Sequence, residues 1–302
     1  MQAKSKTLRG QYFKGLAIAI LGVIVLSFDA LFIQLANVTG FKSAFWRALF
    51  VAVSTSILFL IKNKKNTINA LLEGGKPSLV SGSLWGCSGV SFALGILHAG
   101  SSTTLVMISL APLFAAAFSL IAYKRIPSFV TLLAALGAMG GIWFMYRDGI
   151  GHLSFTAIVS ALSAPLFLGV NLAYMRNHQK MSRLALVMIG GYSGSLIALL
   201  AAGFNVAIDK NSLLFLFVLG MFFIPFGQIM ISNGTRYIPA AESALINSLE
   251  TVLGIFYVWL FLGEKPEADF IIGGFIVLLA ITANSVYQAR VRKIEQELAK
   301  RF

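Results

Sequence analysis

Three acidic side chains lie within the long apolar segments of this chain: Asp29, Glu242 and Glu250. A charged group at the centre of a bilayer helix costs about 2.5–3.5 kcal/mol on insertion scales, so each is a candidate functional residue. The Asp29 carboxylate is predicted either to reach water or to pair with Arg47. Arg47 either forms this ion pair or extends its side chain to the membrane interface and anchors its helix there. Glu242 is predicted to be a solvated first-turn residue, stabilised by the helix dipole.

Glu250 is the residue most strongly predicted to be functional. Ser243, Asn247, Glu250 and Gly254 recur at helical spacing, so they share one face of a helix. Such a face either lines a cavity, where Glu250 accepts a proton or pairs with a cationic group, or hydrogen-bonds a neighbouring helix. We predict that it lines a substrate cavity.

Polar and aromatic side chains form similar stripes on other apolar segments. Single Ser and Gly residues there commonly serve helix packing, whereas an amide or an indole inside a bilayer needs a partner. Prolines within three segments leave backbone carbonyls without their helical hydrogen bonds. Each proline either only kinks its helix or provides carbonyls that can bind a ligand. The predicted substrate-binding residues are Glu250, Asn247, Asp29, Trp85, Asn171, Tyr174, Gln228 and Ser243, with Arg47 as a gating or ion-pair residue.

No catalytic or metal-binding pattern emerges from the sequence. The single cysteine, Cys87, cannot form an intramolecular disulfide. The three histidines fall at segment ends on different sides of the predicted membrane, so they cannot form one metal site or triad. We therefore expect no enzymatic activity, no cofactor and no metal. Without an ATP-binding domain, transport is driven by the solute gradient or by an ion such as the proton.

The composition explains why these few polar residues stand out. Of 302 residues, 58% are hydrophobic and 12% charged, whereas soluble domains carry about 25% charged residues. A bilayer core needs about 20 residues of helix, and the fold class is predicted as an all-α polytopic membrane protein with ten transmembrane helices. They cover roughly 15–36, 43–61, 77–98, 102–123, 127–146, 153–175, 184–205, 211–233, 240–262 and 268–288.

The net charge of +13 is interpreted as a signal that orients the helices in the membrane, and not as a sign of nucleic-acid binding. With the N-terminus in the cytoplasm, 19 of the 24 Lys and Arg residues fall on that side and 4 on the other, with Arg47 inside a helix. This positive-inside distribution predicts an inner (cytoplasmic) membrane protein whose two termini are both cytoplasmic. Membrane lipids are therefore expected partners, and nothing in the sequence indicates an oligomer.

The chain also resembles itself. Residues 101–127 align without a gap on 240–266, at an offset of 139 that matches Ser109 with Ser248. Because each half holds an odd number of helices, the halves are predicted to be inverted repeats, an architecture that places the binding site between them. The predicted organisation is a cytoplasmic segment 1–14, repeats at 15–146 and 153–288, and a cytoplasmic basic tail at 289–302.

The sequence FWRALF at 45–50 and the segment AAESALINSLETVLGIFYVWLFLGEKPEADFIIGGFIVLLA at 240–280 resemble the drug/metabolite transporter superfamily, specifically its EamA-type members. The resemblance covers 15–288, although that family often has Glu-Pro where this chain has Glu250-Thr251, and Gly-Glu where it has Lys124-Arg125. It implies a carrier for a small organic metabolite, such as an amino acid or related solute, with proton-coupled export as one mechanism. The alternatives are a flippase for a lipid-linked substrate and a channel or receptor-like membrane module.

Overall fold

The structure, a computed structural model, describes residues 2–38, 40–64, 67–99, 101–147, 154–263 and 268–301. All of the regular structure in these residues is helical. The start of the predicted second repeat at residue 153, together with His152, lies outside the described residues, as do residues 264–267. The helices are α1 (Gln2–Leu26), α2 (Phe28–Ala36), α3 (Gly40–Asn63), α4 (Thr67–Ala99), α5 (Ser101–Ile108), α6 (Ala111–Tyr123), α7 (Phe129–Tyr146), α8 (Phe155–Asn177), α9 (Arg183–Ala201), α10 (Lys210–Val218), α11 (Ile224–Gly234), α12 (Ala240–Asn247), α13 (Leu249–Leu262) and α14 (Ala268–Arg301).

The prediction of a polytopic helical membrane protein is confirmed. In the described part of the chain, eight helical segments are long and apolar enough to cross a bilayer, and Phe129–Met145 is a shorter apolar helix. Their outward surfaces carry highly exposed apolar side chains, among them Ile121 and Phe155 at 80–81% exposure. Large apolar surfaces of this kind are rare on soluble monomers and are expected where lipid is the solvent.

Four helices begin at a polar residue that accepts a backbone hydrogen bond, as expected of N-caps. Ser128, Ser154 and Ser182 each accept from the amide three residues later, at 3.1–3.2 Å, and start α7, α8 and α9. Asp209 starts α10 by accepting from the Ser212 amide at 3.0 Å. Hydrogen bonds from the Ser212 hydroxyl and amide hold the pKa of Asp209, which precedes the apolar helix, below its usual value.

Three apolar segments are interrupted, and a serine lies at each interruption: Ser27 between α1 and α2, Ser109 between α5 and α6, and Ser248 between α12 and α13. The serine hydroxyls donate to carbonyls three or four residues earlier, at 2.5–3.5 Å, in competition with the regular helix ladder. Proline assists at Pro112, in the first turn of α6. The break at Ser248 occurs without a proline, so a serine-centred turn suffices there.

Pro165 and Pro225 behave differently from each other. Pro165 lies inside α8, which continues through it as one helix from Phe155–Asn177. Pro225 lies in the first turn of α11, directly after a π-helical turn at Leu219–Phe223 that joins α11 to α10. A π-turn relieves the clash of a proline ring with the preceding turn, because it widens the helix at that point.

Close helix pairs form the frame of the bundle: α3 with α9, α7 with α14, α4 with α8, and α1 with α11. Two of these contacts depend on facing glycines. A Cβ atom at Gly22 would lie 2.8 Å from the carbonyl oxygen of Gly227, and the reverse distance is also 2.8 Å. At the α7–α14 contact, a Cβ at Gly141 would lie 2.7 Å from the Gly273 oxygen. Such small residues let membrane helices approach closely enough for dispersion contacts to hold them together.

Candidate functional site

A cavity of about 280 Å³ lies within the helix bundle, where the interrupted helices meet. Its walls are largely apolar, and its polar side chains come from six different segments of the chain. Wide separation in sequence is expected of a site built between packed helices. The polar and amphipathic lining residues are Asp29, Arg47, Trp85, Ser88, Ser109, Gln228, Asn247, Ser248, Glu250 and Thr251.

Asp29 and Arg47 form an ion pair in the cavity wall. The Arg47 Nη1 atom lies 3.0 Å from Asp29 Oδ2, and the two side chains are 21% and 15% exposed. Among the described residues, Asp29 Oδ1 and Arg47 Nε have no hydrogen-bond partner. A guanidinium can make two parallel contacts with a carboxylate, but this pair makes one. Both side chains therefore keep hydrogen-bonding capacity for a third group.

Glu250 lies in the first turn of α13, immediately after the break at Ser248. The break gives α13 its own N-terminus, whose partial positive charge stabilises a nearby carboxylate. The Asn247 side-chain amide approaches Glu250 Oε2 at 3.5 Å, a distance at which a hydrogen bond is weak. The Glu250 carboxylate is therefore a loosely held acceptor that faces the same cavity as the ion pair.

The α13 helix packs against α1 and α2 through residues that lie one and two turns after Glu250. The rings of Phe28 and Tyr257 stack with centroids 4.2 Å apart. The Tyr257 hydroxyl donates to the Ile24 carbonyl at 3.3 Å. A Cβ at Gly254 would lie 3.0 Å from Ala30 Cβ, so a larger residue would push α13 from α2. These contacts set the distance between the carboxylates that α2 and α13 carry.

Six of the nine residues in the predicted site line this cavity, and three do not. The six are Asp29, Arg47, Trp85, Gln228, Asn247 and Glu250. Asn171 is fully buried, and its side-chain oxygen accepts a hydrogen bond from the Ser81 hydroxyl between α8 and α4. Tyr174 stacks on His178, with ring centroids 4.0 Å apart, and Ser243 is buried within α12. The face of α8 that does reach the cavity carries Leu168 and Leu172.

The prediction of a solvated Glu242 is wrong. Its side chain is fully buried, and its Oε1 accepts a hydrogen bond from the Tyr12 hydroxyl, which is itself fully buried. The Tyr12 hydroxyl also lies 3.4 Å from the Ser285 carbonyl oxygen. Glu242 does occupy the first turn of α12, but α1 and α14 cover that turn, which the pattern of one helix cannot reveal.

Ser109, Ser248 and Thr251 also line the cavity, although they are not among the predicted site residues. A signal for two of them was present, because Ser109 and Ser248 are identical positions in the internal repeat. Ser88 also lines the cavity, while its hydroxyl donates to the Ala164 carbonyl at 3.0 Å and joins α4 to α8. Among the described residues, no group of three His, Cys, Asp or Glu side chains is placed to hold a metal ion.

Known proteins share both the sequence pattern and the fold. Residues 155–286 match the EamA-like transporter family. The pseudopaline exporter CntI of Pseudomonas aeruginosa strain UCBPP-PA14 is 24% identical over 277 residues, which is 90% of this chain and 95% of that protein. The protein of the same name from strain PAO1 matches to the same extent. A solved crystal structure with 13% identity has a TM-score of 0.78, covering 92% of this chain and 98% of that one, so it shares the fold. This chain is a multi-pass membrane protein whose residues 155–286 are similar to the EamA-like transporter family.

Proposed function

We propose that this chain is a carrier that exports a small organic metabolite, an amino acid or a related solute, in exchange for protons. The observation that supports this most is the joint presence of Glu250 and the Asp29–Arg47 pair in one cavity of about 280 Å³. Ionisable groups inside a membrane bundle usually mark a substrate or ion pathway. The relatives named as pseudopaline exporters support export as the direction.

The proposed architecture is ten membrane-spanning helices in two inverted repeats, 15–146 and 153–288. The breaks at Ser109 and Ser248 support it, since they are separated by the 139-residue offset of the internal alignment. The helix pairing supports it as well, because exchanging the halves converts the α4–α8 contact into the α11–α1 contact. The same exchange leaves the α3–α9 and α7–α14 contacts unchanged in kind.

The charges favour a substrate with a cationic group. Two carboxylates, Asp29 and Glu250, face the cavity with one guanidinium, that of Arg47. An ammonium group compensates the excess negative charge, whereas an anion without one would add to it in a medium of low dielectric constant. The apolar remainder of the wall, with the Trp85 indole, suits a hydrocarbon body. An amino acid or related amine combines both properties.

Proton coupling is proposed to depend on Glu250. When substrate occupies the cavity, its ammonium group takes the place of a proton at this carboxylate. When substrate leaves, the carboxylate rebinds a proton and carries it in the opposite direction. The loose contact with Asn247 at 3.5 Å supports this role, because a carboxylate with several strong partners would be slow to exchange them.

We also propose that both termini lie in the cytoplasm and that the structure is closed on that side. Asp29 and Arg47 line the cavity near the end of the first helical span and the beginning of the second. At the opposite end of the bundle, Tyr12 and Glu242 join α1 to α12. A carrier alternates by opening one such contact while closing the other.

Proteoliposomes with the purified chain and panels of radiolabelled amino acids, amines and peptides test the proposal. We expect saturable exchange of at least one amine-containing solute, faster with a pH gradient that is acidic on the side opposite to the solute. Flux that does not saturate would indicate a channel. Transfer of fluorescent lipids between leaflets, without solute transport, would indicate a flippase.

A further inference from the structure

A second cavity, of about 460 Å³, lies at the side of the bundle between α1 and α14. Apolar side chains make most of its wall, among them Leu16 and Ile20 on α1 and Leu278 and Ile281 on α14. Leu249, the first residue of α13, forms its inner wall. This groove is separate from the candidate substrate cavity and has no part in the proposed transport chemistry.

The groove opens toward the hydrocarbon of the bilayer. Both of its helices lie within apolar segments long enough to span a membrane, Gly10–Ala36 and Ala268–Val291. At its rim, Phe13 and Val286 are 42% and 47% exposed. In that position the surrounding solvent is lipid, and an apolar recess there is filled by acyl chains.

One end of the groove carries a positive charge. Arg290 is part of the wall and is exposed, at the end of the segment where α14 leaves the apolar region. No ion pair joins it to an acidic side chain within the described residues. Arg292 and Lys293 follow in the sequence. A guanidinium at the membrane surface attracts the phosphate of an anionic lipid, through charge and through hydrogen bonds in a planar fork.

We propose that this groove binds one acyl chain of an anionic phospholipid, with its phosphate against Arg290. The bound chain packs against Leu249, whose neighbours Ser248 and Glu250 line the substrate cavity on the other side. The lipid therefore contacts the broken helix directly behind the carboxylate. The lipid site depends on the position of α1 and α14 in the bilayer. It can therefore be tested without knowledge of the proposed substrate or coupling ion.

Photo-crosslinking tests the site without any transport substrate. The purified chain is reconstituted in phosphatidylcholine vesicles with a trace of phosphatidylglycerol that carries a photoreactive acyl chain, and labelled peptides are mapped by mass spectrometry. We expect label to concentrate in the α1 and α14 peptides. Excess unlabelled phosphatidylglycerol should compete, whereas excess phosphatidylcholine should not.

Two pairs of variants make the test specific. Val286→Trp fills the groove and should reduce labelling severalfold, whereas Ile271→Trp, also exposed and on α14 but outside the groove, should not. Arg290→Gln should weaken the preference for phosphatidylglycerol about fivefold, which corresponds to the roughly 1 kcal/mol of one basic residue near an anionic surface. Arg125→Gln, at an exposed position outside the groove, should leave that preference unchanged.

Three results would overturn the proposal. The first is label spread evenly over all lipid-facing helices, which means that no discrete site exists. The second is unchanged labelling of Val286→Trp, which places the lipid elsewhere. The third is crosslinking of two copies of the chain through α1 and α14 by a bifunctional reagent, which makes the groove a protein interface.

Discussion

Arg47 Nη1 lies 3.0 Å from Asp29 Oδ2, and this single contact joins α3 to α2 across the wall of the candidate substrate cavity. Each partner compensates the charge of the other in a medium that solvates charges poorly. Each also keeps one atom, Asp29 Oδ1 and Arg47 Nε, without a partner among the described residues. The pair is therefore both a structural link and a place where a polar solute can bind.

Asp29→Asn should lower the free energy of unfolding by about 3 kcal/mol, the lower end of the range for breaking a buried pair, because both side chains are partly exposed. The loss arises mainly from the uncompensated Arg47 guanidinium. Thermal unfolding in detergent measures it. The double variant Asp29→Asn/Arg47→Gln should recover part of the stability, and strictly additive losses would show that the pair contributes nothing.

Tyr12→Phe should destabilise the protein by about 1–3 kcal/mol, because Glu242 loses a hydrogen bond in a fully buried position. Removing one hydroxyl leaves the packing of the ring unchanged. The comparison is Tyr287→Phe, a change at an exposed tyrosine on α14, which should have little effect. Equal melting temperatures for both variants would contradict the structural role of the Tyr12–Glu242 contact.

Two adjacent glycines on α7 should respond in opposite ways to the same substitution. Gly141→Ala should cost about 1–3 kcal/mol, since its Cβ would lie 2.7 Å from the Gly273 oxygen and α14 must move away. Gly140→Ala meets no atom within 4 Å and should be neutral or stabilising by up to about 1 kcal/mol. Chemical denaturation of both variants measures the difference, and equal effects would argue against the close α7–α14 contact.

Alanine variants of Asn171 and Gln228 should lose different properties, stability in the first and substrate affinity in the second. Asn171 is fully buried in the α4–α8 contact, so Asn171→Ala should reduce stability and leave the apparent substrate affinity of the folded fraction near that of the wild type. Gln228 lines the cavity, so Gln228→Ala should weaken substrate binding with a smaller effect on stability. Ligand-dependent thermal shifts distinguish the two, and the reverse pattern would place the substrate against α8.

The apolar segments, the serine pair Ser109/Ser248 and the carboxylate Glu250 could be predicted from the sequence because each is a local property of one segment or of two aligned segments. Membership of the cavity could not. Asn171 and Tyr174 share a polar stripe of α8, yet Leu168 and Leu172 of that helix face the cavity. A stripe shows that residues share a face, but the rotation of the helix in the bundle is set by contacts with several neighbours.

The burial of Glu242 was missed for the same reason. Its position in the first turn of α12 was correctly read from the sequence, but the covering residue, Tyr12, is 230 positions away. The break between α12 and α13 was also not apparent, because it occurs at Ser248 and not at a proline. Local signals located the apolar segments, whereas long-range packing decided which polar residues meet water, protein or the cavity.

Solute transport by the Glu250→Gln variant tests the central proposal most directly. The substitution keeps the size and hydrogen-bonding reach of the side chain while it removes the charge that is proposed to carry the proton. In proteoliposomes we expect pH-gradient-driven transport to be abolished, with solute–solute exchange retained and folding near normal. Asp269→Asn, which removes a carboxylate that pairs with Arg147 outside the cavity, should keep its pH dependence. Wild-type rates with unchanged pH dependence in the Glu250→Gln variant would contradict the account.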